Sequence, residues 1–189
     1  MLRLALAAVA SVLWACADPT APLEPTFAYT CDPTLGPNRT QARLQPLRTR
    51  TRTLRSSDQV FADITRKVPG GWGGYFFDFE DGTYTTYLVD PSKAVEATAA
   101  LLELGIHIRQ ARVKQGLWDF AQLYDWQLYI YAESGAPQYI STNIDQALNR
   151  VVFGVKDVAT GDSLATFFSS LVLPCDLLVI ELASIMVGA

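Results

Sequence analysis

The chain has 189 residues, a formal net charge of −4 at pH 7 and an apolar fraction of 50%. This length and apolar content suffice for one domain of ordinary size. The acidic balance disfavours a general affinity for nucleic acid. His107 is the only histidine, and no CxxC or HxxxH spacing occurs. The sequence therefore predicts no metal site and no cofactor.

The first 16 residues have the layout of a bacterial export signal. Arg3 precedes an uncharged apolar stretch, 4–14, and small residues follow it. The stretch is shorter than the roughly 20 residues that a spanning helix needs. Its last residues resemble a lipobox with Cys16 as the lipidated position, but cleavage after Ala17 by ordinary signal peptidase also fits. We therefore expect an extracytoplasmic protein, either a membrane-anchored lipoprotein or a secreted or periplasmic one.

Residues 17–56 are predicted to be a linker and arm rich in Pro, Thr and Arg. Basic residues dominate the range 38–67, where Asp58 and Asp63 are the only acids. Near a lipid anchor, such a segment could contact anionic headgroups. It could equally be a solvated tether or an amphipathic helix, and the sequence leaves both open.

Two cysteines remain if Cys16 is acylated or removed. Cys31 and Cys175, as the only pair in an exported chain, predict one disulfide. This bridge would join the arm to the last strand of the domain. Free buried thiols are the alternative.

Residues 57–189 are predicted to form an α+β fold that contains a duplication. A helix capped by Ser57 and ending at Lys67 comes first. Two α/β-plait-like copies then occupy about 73–113 and 139–184, each with a hairpin, a helix and a closing strand. An aromatic-rich helix joins the copies.

The duplication is inferred from a shift of 67 residues. This shift superposes Asp78 on Asp145 and Gly82 on Asn149. Glycine and asparagine are the residues that best tolerate a positive φ, so each is expected to end a tight turn between two strands. The same shift superposes Asp90 on Asp157.

The first copy continues with a predicted helix over 91–105, capped by Asp90 and starting with a proline. Its predicted buried stripe is Val95, Ala99 and Leu102. A closing strand over 106–113 follows and would point His107 towards solvent.

The second copy is predicted to place its helix at 160–171 and its closing strand at 177–183. The linking helix, 117–133, carries a predicted buried stripe of Phe120, Tyr124, Leu128 and Tyr131.

Three motifs were weighed for chemistry. Gly161-Asp162-Ser163-Leu164 matches the signature of GDSL esterases, but no histidine follows it to act as a base. The pattern therefore favours a structural role, in which Thr160 or Asp162 caps a helix and Gly161 lies in the turn. The carboxylates Asp78, Glu80 and Asp81 are explained by a solvated turn. The run 70–74 lacks a phosphate-binding pattern, but its glycines could let a partner approach closely.

The segments 75–90 and 139–157 carry aromatic–x–Asp–turn–(Gly/Asn) patterns followed by β-branched residues. They resemble the pro-regions of secreted alpha-lytic and streptogrisin-type serine proteases. The 189 residues do not include that family's protease domain. The resemblance implies an inhibitor or folding partner of a secreted serine protease.

From the residues themselves, the expected function is that of a non-catalytic module that binds another envelope or secreted protein, with membrane attachment through Cys16. A sheet edge would supply main-chain hydrogen bonds to the partner. A small hydrolase that uses Ser163 is the rival class. The candidate contact residues are the large aromatics Trp72, Tyr75, Phe76, Trp118 and Trp126.

Overall fold

A computed structural model of the chain describes residues 27–35, 56–103, 105–107, 111–134 and 139–183. These residues form an α+β fold with four α-helices and three small sheets. The predicted export signal with Cys16, most of the linker and residues 184–189 lie outside the described residues. In chain order the elements are β1 (Cys31–Asp32), α1 (Ser57–Thr65), β2 (Gly74–Asp78), β3 (Thr83–Leu88), a 3₁₀ turn (Pro91–Lys93), α2 (Ala94–Leu102), β4 (Arg112–Gln115), α3 (Phe120–Glu133), β5 (Ser141–Asp145), β6 (Arg150–Val155), α4 (Val158–Ser170), β7 (Leu173–Pro174) and β8 (Leu178–Leu182).

Two of the sheets have the same strand directions. In the first sheet, β2 pairs with β3 antiparallel and β3 pairs with β4 parallel. In the second sheet, β5 pairs with β6 antiparallel and β6 pairs with β8 parallel. Both predicted hairpins are therefore present, and Gly82 and Asn149 end their turns at φ 63° and 55°.

The third sheet ties the N-terminal arm to the end of the chain. β1 pairs with β7 in parallel, and Cys31 and Cys175 form the predicted disulfide, with their Cα atoms 4.9 Å apart. The Tyr29 hydroxyl donates to the Pro174 carbonyl oxygen at 3.0 Å. Phe27 packs where a Cβ on Gly161 would overlap its ring. The disulfide prediction is thus confirmed, and Gly161 lies within α4 rather than in a turn.

Two helix caps differ from the predicted ones, whereas Asp90 caps the 3₁₀ turn that starts with Pro91, as expected. Ser56, not Ser57, caps α1, because its Oγ accepts a hydrogen bond from the Gln59 amide. Asp157 caps α4 through the Thr160 amide, so neither Thr160 nor Asp162 is the cap. Helix boundaries differ from sequence-based expectations by such small steps because neighbouring Ser, Thr and Asp residues compete for one position.

The predicted stripe of α2 is on the wrong face. Val95, Ala99 and Leu102 are exposed, whereas the buried side chains are Ala97, Ala100 and Leu101. The helix is apolar around most of its circumference, so the spacing of apolar residues could not select a face. Ala97 packs against the backbone at Gly71, because a Cβ added to Gly71 would lie 3.1 Å from the Ala97 Cβ.

The closing strand of the first sheet starts later than predicted. Gly105 (φ 75°) and Ile106 donate their amides to the Leu102 and Leu101 carbonyls, which closes the C-terminus of α2. Residues 105–107 therefore lie outside regular structure, and β4 begins only at Arg112.

Helix α3 is buried on more than the predicted stripe. Nine of its 14 residues are buried, since it packs on α1 and also lies against β5 and β6. Of the predicted stripe, Tyr131 is exposed. The helix begins at Phe120 because Asp119 and Gln122 form a capping box. Burial raises the pKa of the Asp119 carboxyl.

Candidate partner-binding surface

The five aromatics singled out from the sequence divide into two groups. Trp72, Trp118 and Trp126 lie in the core, none more than 3% exposed. The Trp72 indole stacks on Phe120 with ring centroids 5.2 Å apart, and the Trp118 indole donates to the Asp176 carbonyl oxygen at 2.9 Å. These three tryptophans are therefore not accessible to a partner. Tyr75 and Phe76 are half-buried on β2, and contact through them stays a prediction.

An aromatic cluster that the sequence interpretation missed lies beside Tyr75. Strand alternation and the pairing of Phe77 with Tyr84 place alternate residues on one side of the first sheet. The Tyr75 and Tyr84 rings stack with centroids 5.1 Å apart, and Phe77 contacts both Tyr84 and Phe79 edge to face. We refer to this set as the aromatic face, which consists of Tyr75, Phe77, Phe79, Tyr84 and Val113.

The aromatic face is open, whereas the matching face of the second sheet is closed. Phe77, Tyr84 and Val113 are 39%, 49% and 50% exposed. The residues that hold the same pairing positions in the second sheet, Ile144, Val151 and Ile180, are 8%, 0% and 6% exposed. Phe79, in the turn of the first hairpin, is 89% exposed. Such clustering of exposed apolar side chains is typical of an interaction surface.

Paired charges lie on the opposite side of the first sheet, because Asp78, Arg112 and Lys114 alternate with Phe77 and Val113 along their strands. Lys114 donates to Asp78 at 2.9 Å, and Arg112 pairs with Asp81. The hydrogen bond from Lys114 holds the pKa of the Asp78 carboxyl below its usual range, and the same bond raises the pKa of Lys114. On the face itself, desolvation and the neighbouring Tyr84 raise the pKa of Tyr75. These ion pairs thus neutralise Asp78 and Asp81 across the first sheet. The predicted explanation of the carboxylates as turn residues accounts for only part of their contacts.

The turn of the second hairpin is used inside the molecule. The Asn149 side-chain oxygen accepts from the Leu117 and Trp118 amides, both at 2.9 Å. Its amide nitrogen donates to the Gly73 and Trp118 carbonyls at 2.9 and 2.8 Å. Asn149 is buried, and its four bonds join the second hairpin to the start of β2 and the start of α3.

Glycines make this internal contact possible. A Cβ on Gly73 would overlap the Trp118 carbonyl oxygen, and a Cβ on Gly74 would lie 2.7 Å from the Gln146 carbonyl oxygen. Next along the strand, the Tyr75 amide donates to Gln146 Oε1 at 2.8 Å. The close approach that the glycine run suggested is therefore made by the chain's own second hairpin.

Ser163 lies in a shallow cleft of about 550 Å³ that is also lined by Tyr139, Lys156 and Asp157. Its hydroxyl donates to the Ala159 carbonyl within α4 at 2.9 Å. The Asp157 carboxylate accepts from the Thr160 amide and hydroxyl, which lower its pKa. Burial and the nearby Tyr131 raise the pKa of Tyr139 to about 12. Among the described residues, no base is in hydrogen-bond contact with Ser163, although a nucleophilic serine needs one.

His107 is exposed and lies outside regular structure. Among the described residues, no group of three or more His, Cys, Asp or Glu side chains could hold a metal ion. No helix in the described part of the chain is long and apolar enough to cross a membrane.

Comparison with known proteins finds no matching family model, no matching curated protein and no matching solved structure. Residue roles are therefore assigned only from the geometry of the molecule itself.

One sequence signal for the aromatic face was present but went unused. Tyr75, Phe77 and Phe79 alternate along β2 and its turn, so strand geometry directs them to one side, and Tyr84 lies on the facing strand. No local pattern marked Asn149 as an internal bridge, because its four partners are 31 or more residues away.

Proposed function

We propose that this chain is an exported, non-catalytic module that binds another envelope or secreted protein through the aromatic face. The observation that carries the proposal is the contrast between Phe77, Tyr84 and Val113 and their closed counterparts in the second sheet. Exposed aromatic side chains surrounded by polar rims supply most of the affinity in many protein interfaces.

We infer further that the two sheets belong to repeated units. A shift of 67 residues carries the pair Gly74–Tyr87 onto Ser141–Gly154, and the parallel pair Thr85–Arg112 onto Val152–Val179. The capping aspartates of the following helices, at 90 and 157, obey the same shift. This agreement across strand registers, turns and caps supports a duplicated hairpin, helix and strand.

The edge strand β4 supports the same surface. It is the outer strand of the first sheet and carries Val113 of the aromatic face between Arg112 and Lys114. A partner strand added at this edge would gain main-chain hydrogen bonds beside the apolar cluster. Charged edge residues meanwhile limit unspecific strand pairing.

We propose an extracytoplasmic location for the module. The Cys31–Cys175 disulfide is compatible with that environment, since such bridges persist under oxidising conditions. Attachment through a lipidated Cys16, or release after cleavage at Ala17, are the two forms that the sequence allows.

The test uses the mature chain, 18–189 with its disulfide formed, as bait for envelope and secreted proteins of its host. Phe79→Ser and Tyr84→Ser should each weaken binding of a captured partner about tenfold or more, because they remove exposed anchors. Leu148→Ser is the matched control, since Leu148 is a half-exposed apolar residue in the turn of the other hairpin. Binding that survives both aromatic substitutions would refute the proposed surface.

The pro-region resemblance gives this experiment a second measurement. If the captured partner is a secreted serine protease, the module should inhibit it in proportion to its concentration, and Phe79→Ser should reduce that inhibition. A captured protease that stays fully active would count against an inhibitory role.

A further inference from the structure

The first sheet region carries a second exposed apolar surface besides the aromatic face. It is the stripe of Val95, Ala99 and Leu102 along α2, in which Val95 is 81% and Leu102 40% exposed. These residues have the spacing of one helical face. The stripe is thus an exposed helix surface. The aromatic face is an exposed sheet surface, which no described helix covers to the extent seen in the second sheet.

The second sheet shows how this chain closes such a face. There, α3 lies against β5 and β6 while α4 lies against β6 and β8. Gln127 of α3 donates to the Thr142 hydroxyl at 3.3 Å, and Phe168 of α4 packs on Phe153 with centroids 4.9 Å apart. Helices therefore lie against the second sheet on the side that stays only partly covered in the first, where Thr86 and Leu88 are buried but Phe77, Tyr84 and Val113 are exposed.

We propose that a second copy of this chain occupies the aromatic face when the other protein is absent, and that it docks its α2 stripe there in a two-fold dimer. The inference rests on the proposed function, since it names an occupant for the same surface. In the dimer each copy offers one sheet face and one helix stripe, so both exposed surfaces become buried at once.

The buried area favours a two-fold arrangement over a single contact. At about 200 Å² for a whole aromatic side chain, the exposed parts of Phe77, Phe79 and Tyr84 amount to about 350 Å². Covering this surface once would bury about 700 Å² counting both partners, which is the size of a crystal contact. Two symmetric contacts would bury about 1,400 Å², which lies within the range of stable interfaces.

The charges near the two surfaces are already paired within the single chain. On the strand that carries Val113, Arg112 and Lys114 pair with Asp81 and Asp78. Beside the helix stripe, Glu96 and Glu103 contact Lys93 and Lys67. The docking therefore rests on the apolar residues of the two surfaces, and no charge has to lose its partner.

The test is sedimentation of the mature, oxidised chain over a hundredfold range of concentration. We expect a reversible monomer–dimer equilibrium. Phe79→Ser and Val95→Glu should each raise the dimer dissociation constant about 30-fold, which corresponds to about 2 kcal/mol for a central interface residue. Both side chains are exposed, so the melting temperature of the monomer should stay unchanged. Val158→Glu is the control, because Val158 is an exposed valine in the first turn of α4.

Each outcome separates this inference from the proposed function. If the chain is a monomer at every concentration, a second copy is not the occupant of the aromatic face. This holds whether the face is then covered by residues 36–55 of the same chain or by another protein. A dimer whose dissociation constant is unchanged by Phe79→Ser and by Val95→Glu overturns this contact. If the chain is monomeric and Phe79→Ser abolishes capture of another protein, only the self-association is refuted. If Phe79→Ser leaves that capture unchanged as well, the proposed binding surface itself is refuted.

Discussion

The two hairpins have matching registers and turns but opposite surroundings. Asp78 and Asp145 each accept two amides of their own turn, and each turn ends with a positive φ. Yet the first turn presents Phe79 to solvent, whereas the second is an internal joint. The backbone geometry of a turn therefore does not determine whether the turn packs inside the molecule or is exposed to solvent.

Two side chains account for the difference. Where the second hairpin has Gln146 and Asn149, the first has Phe79 and Gly82. Asn149 and Gln146 bond to backbone groups at the start of β2 and α3. Phenylalanine and glycine have no such hydrogen-bonding groups. The same turn is therefore free to carry apolar surface in one hairpin and is fixed in place in the other.

The largest expected effect concerns the disulfide, which ties the arm to the C-terminal end beside the second sheet. Replacing both Cys31 and Cys175 by serine should lower the free energy of unfolding by about 5 kcal/mol, because the bridge closes a loop across most of the domain. Denaturant unfolding measures this loss. Hydrogen exchange should rise in β7 and β8 more than in β2 and β3; an equal rise in both regions would show that the tie is not local to the second sheet.

The joint itself is tested by Asn149→Ala, which we expect to cost about 4 kcal/mol. The substitution leaves the Leu117 and Trp118 amides and two carbonyls buried without their partner. Asn149→Gly keeps the permitted backbone conformation and should cost nearly as much, since the bonds are still lost. The control, Gly82→Asn, should cost less than about 1 kcal/mol, because asparagine tolerates a positive φ better than other residues with a side chain and nothing lies within 4 Å of a Cβ there. Equal costs at positions 82 and 149 would contradict the contrast between the hairpins.

The smallest effect compares the two sheet faces. Ile144→Ala should lower the free energy of unfolding by about 3 kcal/mol, because it empties a closed core position. Phe77→Ala, at the matching position, should cost about half as much in the monomer, because 39% of the Phe77 side chain is already exposed and only its contacts with Tyr84 and Phe79 are lost. The comparison is made by denaturant unfolding at a concentration where the chain is monomeric. A cost for Phe77→Ala as large as that for Ile144→Ala would mean that the aromatic face is covered within the single chain.

Much of the local structure could be predicted from the sequence. Both hairpins, the positive φ at residues 82 and 149 and the Cys31–Cys175 bridge agree with expectation. The failures concern choices between similar local options, such as which serine caps α1 or which face of α2 is buried. Such choices depend on neighbours that are distant in sequence, so a local pattern cannot rank them.

For the candidate site, the five anchors predicted from the sequence differ in burial. Trp72, Trp118 and Trp126 fill the core, whereas Tyr75 belongs to the aromatic face and Phe76 lies on the other side of the same strand, stacked on Tyr87. Residue type alone could not separate these cases, because a large aromatic side chain is equally suited to a core and to an interface.

The amino-acid sequence by itself determined the order of hairpins and helices and the position of both hairpin turns, since alternation and turn residues act over a few neighbours. It also determined that two cysteines were available to close the domain. Only the tertiary structure decided that Asn149 would form hydrogen bonds with Trp118 and Gly73, which are 31 and 76 residues away in the sequence. It likewise decided that helices would cover Ile144 and Val151 while Phe77 and Tyr84 stayed open. Burial is a property of what packs opposite a side chain, and that neighbour is set by the whole fold.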